Sequence, residues 1–165
     1  MTRFARLSAL LASAITSTAL PLVAAAPAHA AATSSCAADA KWSYVWGERF
    51  QQEVESKLCL ETEFGQITAT VFSHCKVDGN FGWAEDWCDV NKSKYRLTSP
   101  DGTVYNGAIP TGQGKGAWTL RSETDHPCST GTWKYEISSS TTFYYNGKPT
   151  VDTSQSKEIN VSECG

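Results

Sequence analysis

The residue types best suited to binding a ligand are concentrated in one aromatic and acidic segment, from Gly82 to Asp89. It contains two tryptophans four residues apart, with carboxylates between them and a cysteine after the second. An indole ring can stack on a sugar ring or an apolar side chain, and a carboxylate accepts hydrogen bonds from hydroxyl groups. The glycine and acids indicate a solvated hairpin end, so we expect at least one indole to be exposed. The predicted ligand-binding residues are Trp83, Glu85, Asp86 and Trp87.

The sequence predicts no metal site and no cofactor. Acidic residues around Asn80 could surround a calcium ion, but the spacing of an EF-hand calcium loop fails at Gly82 and its distant glutamate is missing. The cysteines include no C-x-x-C pair and no neighbouring histidine at a zinc-ligand spacing. Solvated turn residues are therefore the better interpretation of these acids.

Catalytic chemistry also has little support. Beyond residue 30 the histidines are His74 and His126, which we expect at a strand end and in a turn, and neither G-x-S-x-G nor H-E-x-x-H occurs. Glu61 and Glu63 share a strand face, but acid pairs of this kind occur in any acidic β-protein. We therefore predict a non-enzymatic protein without catalytic residues. The competing interpretation, a small extracellular hydrolase, would depend on His126 or Glu85.

Glycine occupies three of the five positions from Gly112 to Gly116, which predicts a mobile loop. The segment does not match a phosphate-binding Walker loop, because that loop opens a helix, whereas the residues up to Trp118 open a strand. Lys115 could be recognised by a trypsin-like protease, so a secreted protease inhibitor is a second competing interpretation. Flexibility counts against it, because inhibitor loops bind tightly when they are preorganised.

Residues 1–30 have the three parts of a secretory signal peptide. Arg3 and Arg6 precede an apolar run from Leu7 to Ala26, and Ala28-His29-Ala30 supplies the small residues of a cleavage site. Polar residues and a proline interrupt the apolar run, which counts against a membrane span. We expect cleavage after Ala30 and secretion from a bacterial cell.

The remaining chain has the size of one domain. We expect a flexible N-terminal segment over residues 31–35 and a single domain over residues 36–165. Removal of Arg3 and Arg6 with the leader lowers the formal net charge from −3 to −5. This acidic balance argues against nucleic acid and membrane partners, which select clustered lysine and arginine. The mature protein is expected to be an extracellular monomer.

All six cysteines follow the leader, as in a disulfide-bonded secreted protein. A two-residue turn at Asn146-Gly147 leaves Cys128 and Cys164 one residue out of register, so a single bulge in a long hairpin would join them. Turn residues over 78–82 lie midway between Cys75 and Cys88, so a hairpin there would bring these two cysteines together. The predicted disulfides are Cys128–Cys164, Cys75–Cys88 and, by elimination, Cys36–Cys59.

Polar and apolar residues alternate with a period of two along most of this domain, as in the segment from Trp133 to Ile137. Turn signals separate seven to nine such runs, which predicts an all-β protein, a disulfide-stabilised two-sheet β-sandwich. It is Ig-like in general architecture but not a true Ig domain, because the Cys-Trp-Cys constellation is absent. The segment 48–60 is compatible with either helix or strand.

The other tryptophans are interpreted as core residues. Trp118 and Trp133 lie in phase with apolar neighbours, and the group Trp42-Tyr44-Trp46 favours a core position less strongly. The exposed aromatic and acidic segment is then the best candidate for function. We expect a secreted, non-catalytic module that binds an extracellular glycan or protein.

Overall fold

The computed structural model describes residues 32–46, 50–144 and 148–165. The predicted signal peptide and the predicted Asn146-Gly147 turn lie outside these residues, as does the side chain of Trp46. Within the described ranges the protein is all-β, with two antiparallel sheets and no helix. This part of the chain accordingly contains no helix that could span a membrane.

The described chain forms thirteen strands, which pack as a sandwich. In chain order they are β1 (Thr33–Cys36), β2 (Ala40–Trp46), β3 (Phe50–Glu63), β4 (Gln66–Gly79), β5 (Gly82–Glu85), β6 (Trp87–Val90), β7 (Ser93–Thr98), β8 (Val104–Ile109), β9 (Gly112–Pro127), β10 (Gly131–Ser138), β11 (Ser140–Phe143), β12 (Thr150–Asp152) and β13 (Gln155–Val161). The larger sheet has the order β1-β3-β4-β9-β6-β11-β12, with β2 also paired to β3 and β5 also paired to β4. The smaller sheet has the order β13-β10-β7-β8.

The segment that the sequence left open between helix and strand belongs to β3 from Phe50 onward. Buried residues such as Val54 and Leu58 recur at every second position along most of it, and β4 pairs with it from Gln51 to Glu63. This long ladder satisfies the backbone groups of both strands, so pairing decides the conformation. Phe64 and Gly65 join the strands at φ values of 50° and 71°, as a tight type I′ hairpin requires.

A long hairpin passes from the smaller sheet into the larger one. β10 pairs with β13 in the smaller sheet, and β11 pairs with β12 in the larger. The link is at Ser139, whose carbonyl oxygen accepts a 2.9 Å hydrogen bond from the backbone N–H of Thr153. The register is the same on both sides of this link: Gly131 lies opposite Val161, Ile137 opposite Gln155, and Ser140 opposite Asp152.

This register brings Cys128 opposite Cys164 when it is continued outward from Gly131. The two cysteines form a disulfide with their Cα atoms 5.7 Å apart. The bulge expected from the sequence does not occur between Gly131 and Phe143, because the ladder keeps one register throughout.

The other two disulfides also join the cysteines paired by the sequence. Cys36 and Cys59 occupy directly opposite positions of β1 and β3, with their Cα atoms 4.1 Å apart. Cys75 of β4 is bonded to Cys88 of β6. Strand β1 begins at Thr33, within the segment 31–35 that was expected to be flexible, because its backbone pairs with β3.

Two apolar clusters fill the interior. The larger lies between the two sheets and includes Leu58, Leu97 and the fully buried Trp133, whose indole N–H donates a 2.8 Å hydrogen bond to the carbonyl oxygen of Ser129. The smaller contains Val54, Cys75, Cys88 and Phe143, with partly buried Trp42, Tyr44, Trp118 and Val151 packed against it. Trp133 is thus a full core residue, whereas Trp118 only borders the core.

Trp133→Ala should lower the free energy of unfolding by about 3–5 kcal/mol, since it leaves a large cavity between the sheets. Val104→Ala on β8 is the control, because Val104 is 40% exposed and its loss should cost less than about 0.5 kcal/mol. Urea unfolding followed by circular dichroism measures both. Equal losses in the two variants would contradict this account of the core.

Candidate functional site

The predicted binding segment lies where the larger sheet divides. β4 and β9 pair from one end of β9 as far as Cys75 and Gly116, and then they separate. The chain from β5 to β6 fills the gap: β5 pairs with β4, and β6 pairs with β9. Asp86 lies at the junction, where its N–H donates to Cys75 O at 3.0 Å and its carbonyl oxygen accepts from Gly116 N at 3.1 Å. We call this junction of Cys75, Asp86 and Gly116 the fork.

Both tryptophans of the segment are exposed on the same side of the fork. Alternation along the strand directs Trp83, Glu85, Trp87 and Asp89 to the outer face of the sheet, while buried Cys88 and Val90 face the interior. Trp83 is 48% exposed and Trp87 is 45% exposed. We call the outward set of Trp83, Glu85, Trp87 and Asp89 the tryptophan face.

Asp86 does not belong to this face, although the sequence grouped it with the other site residues. Its carboxylate Oδ2 accepts a 2.7 Å hydrogen bond from Nε2 of Gln52, a fully buried side chain. Adjacent residues of a strand point to opposite faces, so a site that contains Glu85 and Trp87 excludes Asp86. Asp86 therefore has a structural position.

Asp89 lies on the same side as Trp87, but its carboxylate is covered, because Oδ1 is buried and has no hydrogen-bond partner among the described residues. Its Oδ2 accepts a 2.9 Å hydrogen bond from the hydroxyl of Tyr144, and this bond raises the pKa of Tyr144 above its ordinary value. The ammonium group of Lys148 lies 4.7 Å from the centroid of the Tyr144 ring. The same period of two that places Trp87 outward also places Asp89 outward, and this signal could have identified it.

The Glu85 side chain lies beside the glycine of the fork. Gly116 has a φ of +67°, and a Cβ atom added there would lie 2.6 Å from the carboxyl carbon of Glu85. The carboxylate is therefore close to the glycine backbone. In the sheet register Glu85 faces Lys76, which forms ion pairs with Glu53 and Glu55 at 3.7 and 3.2 Å.

An ion-pair network continues from Lys76 across the outer face. Lys41 lies 3.4 Å from Glu55, and Nδ1 of His74 lies 3.9 Å from the same carboxylate. The hydrogen bond from Lys76 is the main cause that lowers the pKa of Glu55. This mixed network borders the tryptophan face, and its partly exposed pairs contribute little to stability individually.

The glycine-rich segment is a strand, not the mobile loop expected from the sequence. Gly112 to Lys115 pair with β6, and Lys115 lies opposite Trp87. Side chains at Gly112 and Gly114 would collide with Leu120 and Trp118, which lie across the glycine backbone. These glycines therefore permit close packing.

His126 is also placed differently from the expected turn. It is buried in β9, where its Nε2 and the Tyr95 hydroxyl share a 2.9 Å hydrogen bond and its ring stacks on Tyr105 at 4.8 Å between centroids. Burial lowers the pKa of His126. Such an enclosed imidazole is poorly placed for catalysis on an extracellular substrate. Across residues 32–46, 50–144 and 148–165, no three His, Cys, Asp or Glu side chains could jointly hold a metal ion.

Comparison with known protein families gives no match, and comparison with curated proteins gives none either.

The stability of the protein should depend on pH through His126. Burial lowers the pKa of His126 in the folded state. As the pH falls, the unfolded chain therefore protonates this imidazole first, near its ordinary pKa of 6.5. As the pH falls through 6.5, the free energy of unfolding should decrease. The contribution of His126 to this decrease should end once the pH is below the pKa of His126 in the folded state. His126→Gln should flatten this part of the profile, measured by urea unfolding between about pH 8 and about pH 5.5. An unchanged slope in the variant would contradict the assignment.

Gly116→Ala and Gly65→Ala should destabilise the protein by similar amounts. Both glycines have a similar positive φ, and the space at Gly65 is open. The nearest atoms to a Cβ added at Gly116 belong to the carboxylate end of the exposed Glu85 side chain, which can turn away. Each substitution should therefore cost about 1–2 kcal/mol from backbone strain in urea unfolding. A much larger cost at Gly116 that Glu85→Ala relieves would contradict this expectation.

Proposed function

We propose that this protein is a secreted, non-catalytic module that binds an extracellular glycan through the tryptophan face. The observation that carries the proposal is the pair of half-exposed indoles, Trp83 and Trp87, on one side of the same chain segment. Aromatic rings this large are normally buried, and exposed pairs mark interaction sites. The two rings supply flat apolar surfaces of the kind on which sugar rings stack.

The spacing of the indoles favours a chain of sugars over a single sugar. Four residues of extended strand span about 13 Å at about 3.3 Å per residue. A ligand that contacts both Trp83 and Trp87 must therefore extend over several rings. Glu85 lies between them in sequence and on the same face, where its carboxylate can accept hydrogen bonds from hydroxyl groups.

The backbone that carries the indoles is cross-linked before a ligand binds. Asp89 is bonded to Tyr144, and the Cys75–Cys88 disulfide lies directly behind the fork. A binding site whose groups are already ordered loses less conformational entropy on binding. This rigidity supports recognition by the strand face itself.

Secretion is supported by two independent features. The first 30 residues have the organisation of a cleavable leader. Three disulfides connect the domain, as is typical of proteins that fold in an oxidising compartment outside the cytosol. We infer that the mature domain acts outside a bacterial cell.

A protease inhibitor is less well supported. Lys115 is exposed, but its backbone is paired with Trp87 within the sheet. An inhibitory lysine must present its backbone to the protease in an accessible loop, and this strand position does not do so. A hydrolase is also disfavoured, because the Nε2 of His126 is occupied by Tyr95 in the interior.

Trp83→Ala and Trp87→Ala test the proposed site. Binding to insoluble chitin, cellulose and peptidoglycan is measured by sedimentation, and soluble oligosaccharides are titrated by tryptophan fluorescence. At least one variant should weaken the affinity for a glycan about tenfold or more while its melting temperature stays within a few degrees of wild type. Phe64→Ala is the matched control, since Phe64 is an aromatic residue 65% exposed on the β3–β4 turn, away from the fork.

The proposal would fail if both tryptophan variants bound every tested glycan as wild type does, or if Phe64→Ala weakened binding equally. It would also fail if no glycan bound and only an extracellular protein were captured. Unfolding of both tryptophan variants would show that these indoles have a structural role.

A further inference from the structure

A second candidate site lies on the other side of the sandwich, in a groove on the outer face of the smaller sheet. The groove has a volume of about 530 Å³ and crosses β7, β10 and β13. Polar side chains line it from all four strands and the adjoining turn. Six of them are exposed, Lys94, Arg96, Asn106, Ser138, Ser154 and Ser156, and Glu136 is partly buried.

The charge of this groove is positive although the protein as a whole is acidic. Lys94 and Arg96 are both exposed, two positions apart on the same face of β7. Glu136 pairs in register with Arg96, but its carboxylate is bound by Lys134 at 2.7 Å. The sheet register also places Glu158 opposite Lys134, and the charge of Arg96 helps to lower the pKa of Glu136. Three cations, Lys94, Arg96 and Lys134, therefore face two carboxylates on this side of the sheet. One positive charge is left over, next to Lys94, which lies opposite Ser138.

The remaining lining is suited to hydroxyl groups. Asn106, Ser138 and Ser156 are exposed around the two cations, and their amide and hydroxyl groups can both donate and accept hydrogen bonds. The apolar residues that border the groove, Tyr95 and Ile137, are buried and direct their side chains into the core. The side chains of Tyr95 and Ile137 are therefore not available to a peptide in the groove.

The central strands β7 and β10, which lie beneath the groove, also disfavour a peptide that binds as an additional β-strand. β7 is paired on both sides, by β8 and β10, and β10 is paired on both sides, by β7 and β13. Their backbone groups are already used within the sheet, so recognition must come from side chains.

We propose that this groove binds an acidic polysaccharide, with a carboxylate or sulfate group between Lys94 and Arg96. The guanidinium group of Arg96 can bind such an anion through two parallel hydrogen bonds, and Lys94 adds a second positive charge. Sugar hydroxyl groups then bond to Asn106, Ser138 and Ser156. This site is independent of the tryptophan face, and either proposal can fail without the other.

The test uses the mature domain and four probes in calorimetric titrations: oligogalacturonate, sulfated dextran, neutral dextran and inorganic sulfate. At least one acidic polysaccharide should bind, and neutral dextran should not. Raising the ionic strength from about 0.1 M to about 1 M shortens the Debye length from about 10 Å to about 3 Å, so the affinity should fall strongly with salt. Trp83→Ala and Trp87→Ala should leave this binding unchanged.

The variant K94Q/R96Q should weaken the affinity for the acidic polysaccharide about tenfold or more. Its matched control is K57Q/R121Q, which removes the same two charges from the larger sheet, where Lys57 is paired with Asp39 at 3.0 Å and Arg121 with Glu61 at 3.3 Å. The control should change the affinity by less than about threefold, because only general attraction is reduced.

A nuclear magnetic resonance titration of the wild-type domain gives a readout that does not depend on the folding of any variant. Backbone amides from Lys94 to Arg96 and from Glu136 to Ser138 should shift on addition of the acidic polysaccharide. Shifts confined to other strands, equal binding of neutral dextran, or equal losses in K94Q/R96Q and K57Q/R121Q would overturn the proposal. Two further results would overturn the proposal. One is that poly-glutamate, added as a fifth probe, binds as tightly as the acidic polysaccharide. The other is that inorganic sulfate displaces the polysaccharide completely at an equal concentration of anionic groups.

Discussion

The backbone hydrogen bonds of Asp86 are the interaction on which the organisation of the larger sheet depends. Its N–H bonds to Cys75 on β4, and its carbonyl oxygen bonds to Gly116 on β9. One residue therefore connects two strands at the point where they separate. The pairing of β5 and β6, the outward direction of Trp83 and Trp87, and the position of the Cys75–Cys88 disulfide all follow from this junction.

The fork also explains several residues that have no direct contact with a ligand. Gly116 provides the positive φ and the space that the Glu85 carboxylate occupies, and Gln52 satisfies the carboxylate of Asp86 from the interior. Gly114 allows Trp118 to cover the start of β9. The tryptophan face thus lies on a layer of glycines and buried polar groups.

The two faces of the sandwich have different chemistry. The larger sheet presents exposed indoles next to carboxylates and a mixed ion-pair network, whereas the smaller sheet presents a net positive charge among hydroxyl groups. The long hairpin joins these faces, because it passes from one sheet to the other at Ser139 without a change of register. A protein with two proposed glycan surfaces on opposite sides could connect a neutral chain to an acidic one.

The sequence by itself determined the features that depend on local pattern. A period of two identifies strands, the acidic and glycine-rich surroundings of Trp83 and Trp87 indicate an exposed segment, and turn positions with cysteine order lead to the three disulfides. Tertiary structure alone decided β3 over a helix, the strand position of Gly112 to Gly116, and the burial of His126. It also removed Asp86 from the site. These outcomes depend on pairing with strands distant in sequence, and such pairing can satisfy backbone groups and cover side chains in ways that no local spacing reveals.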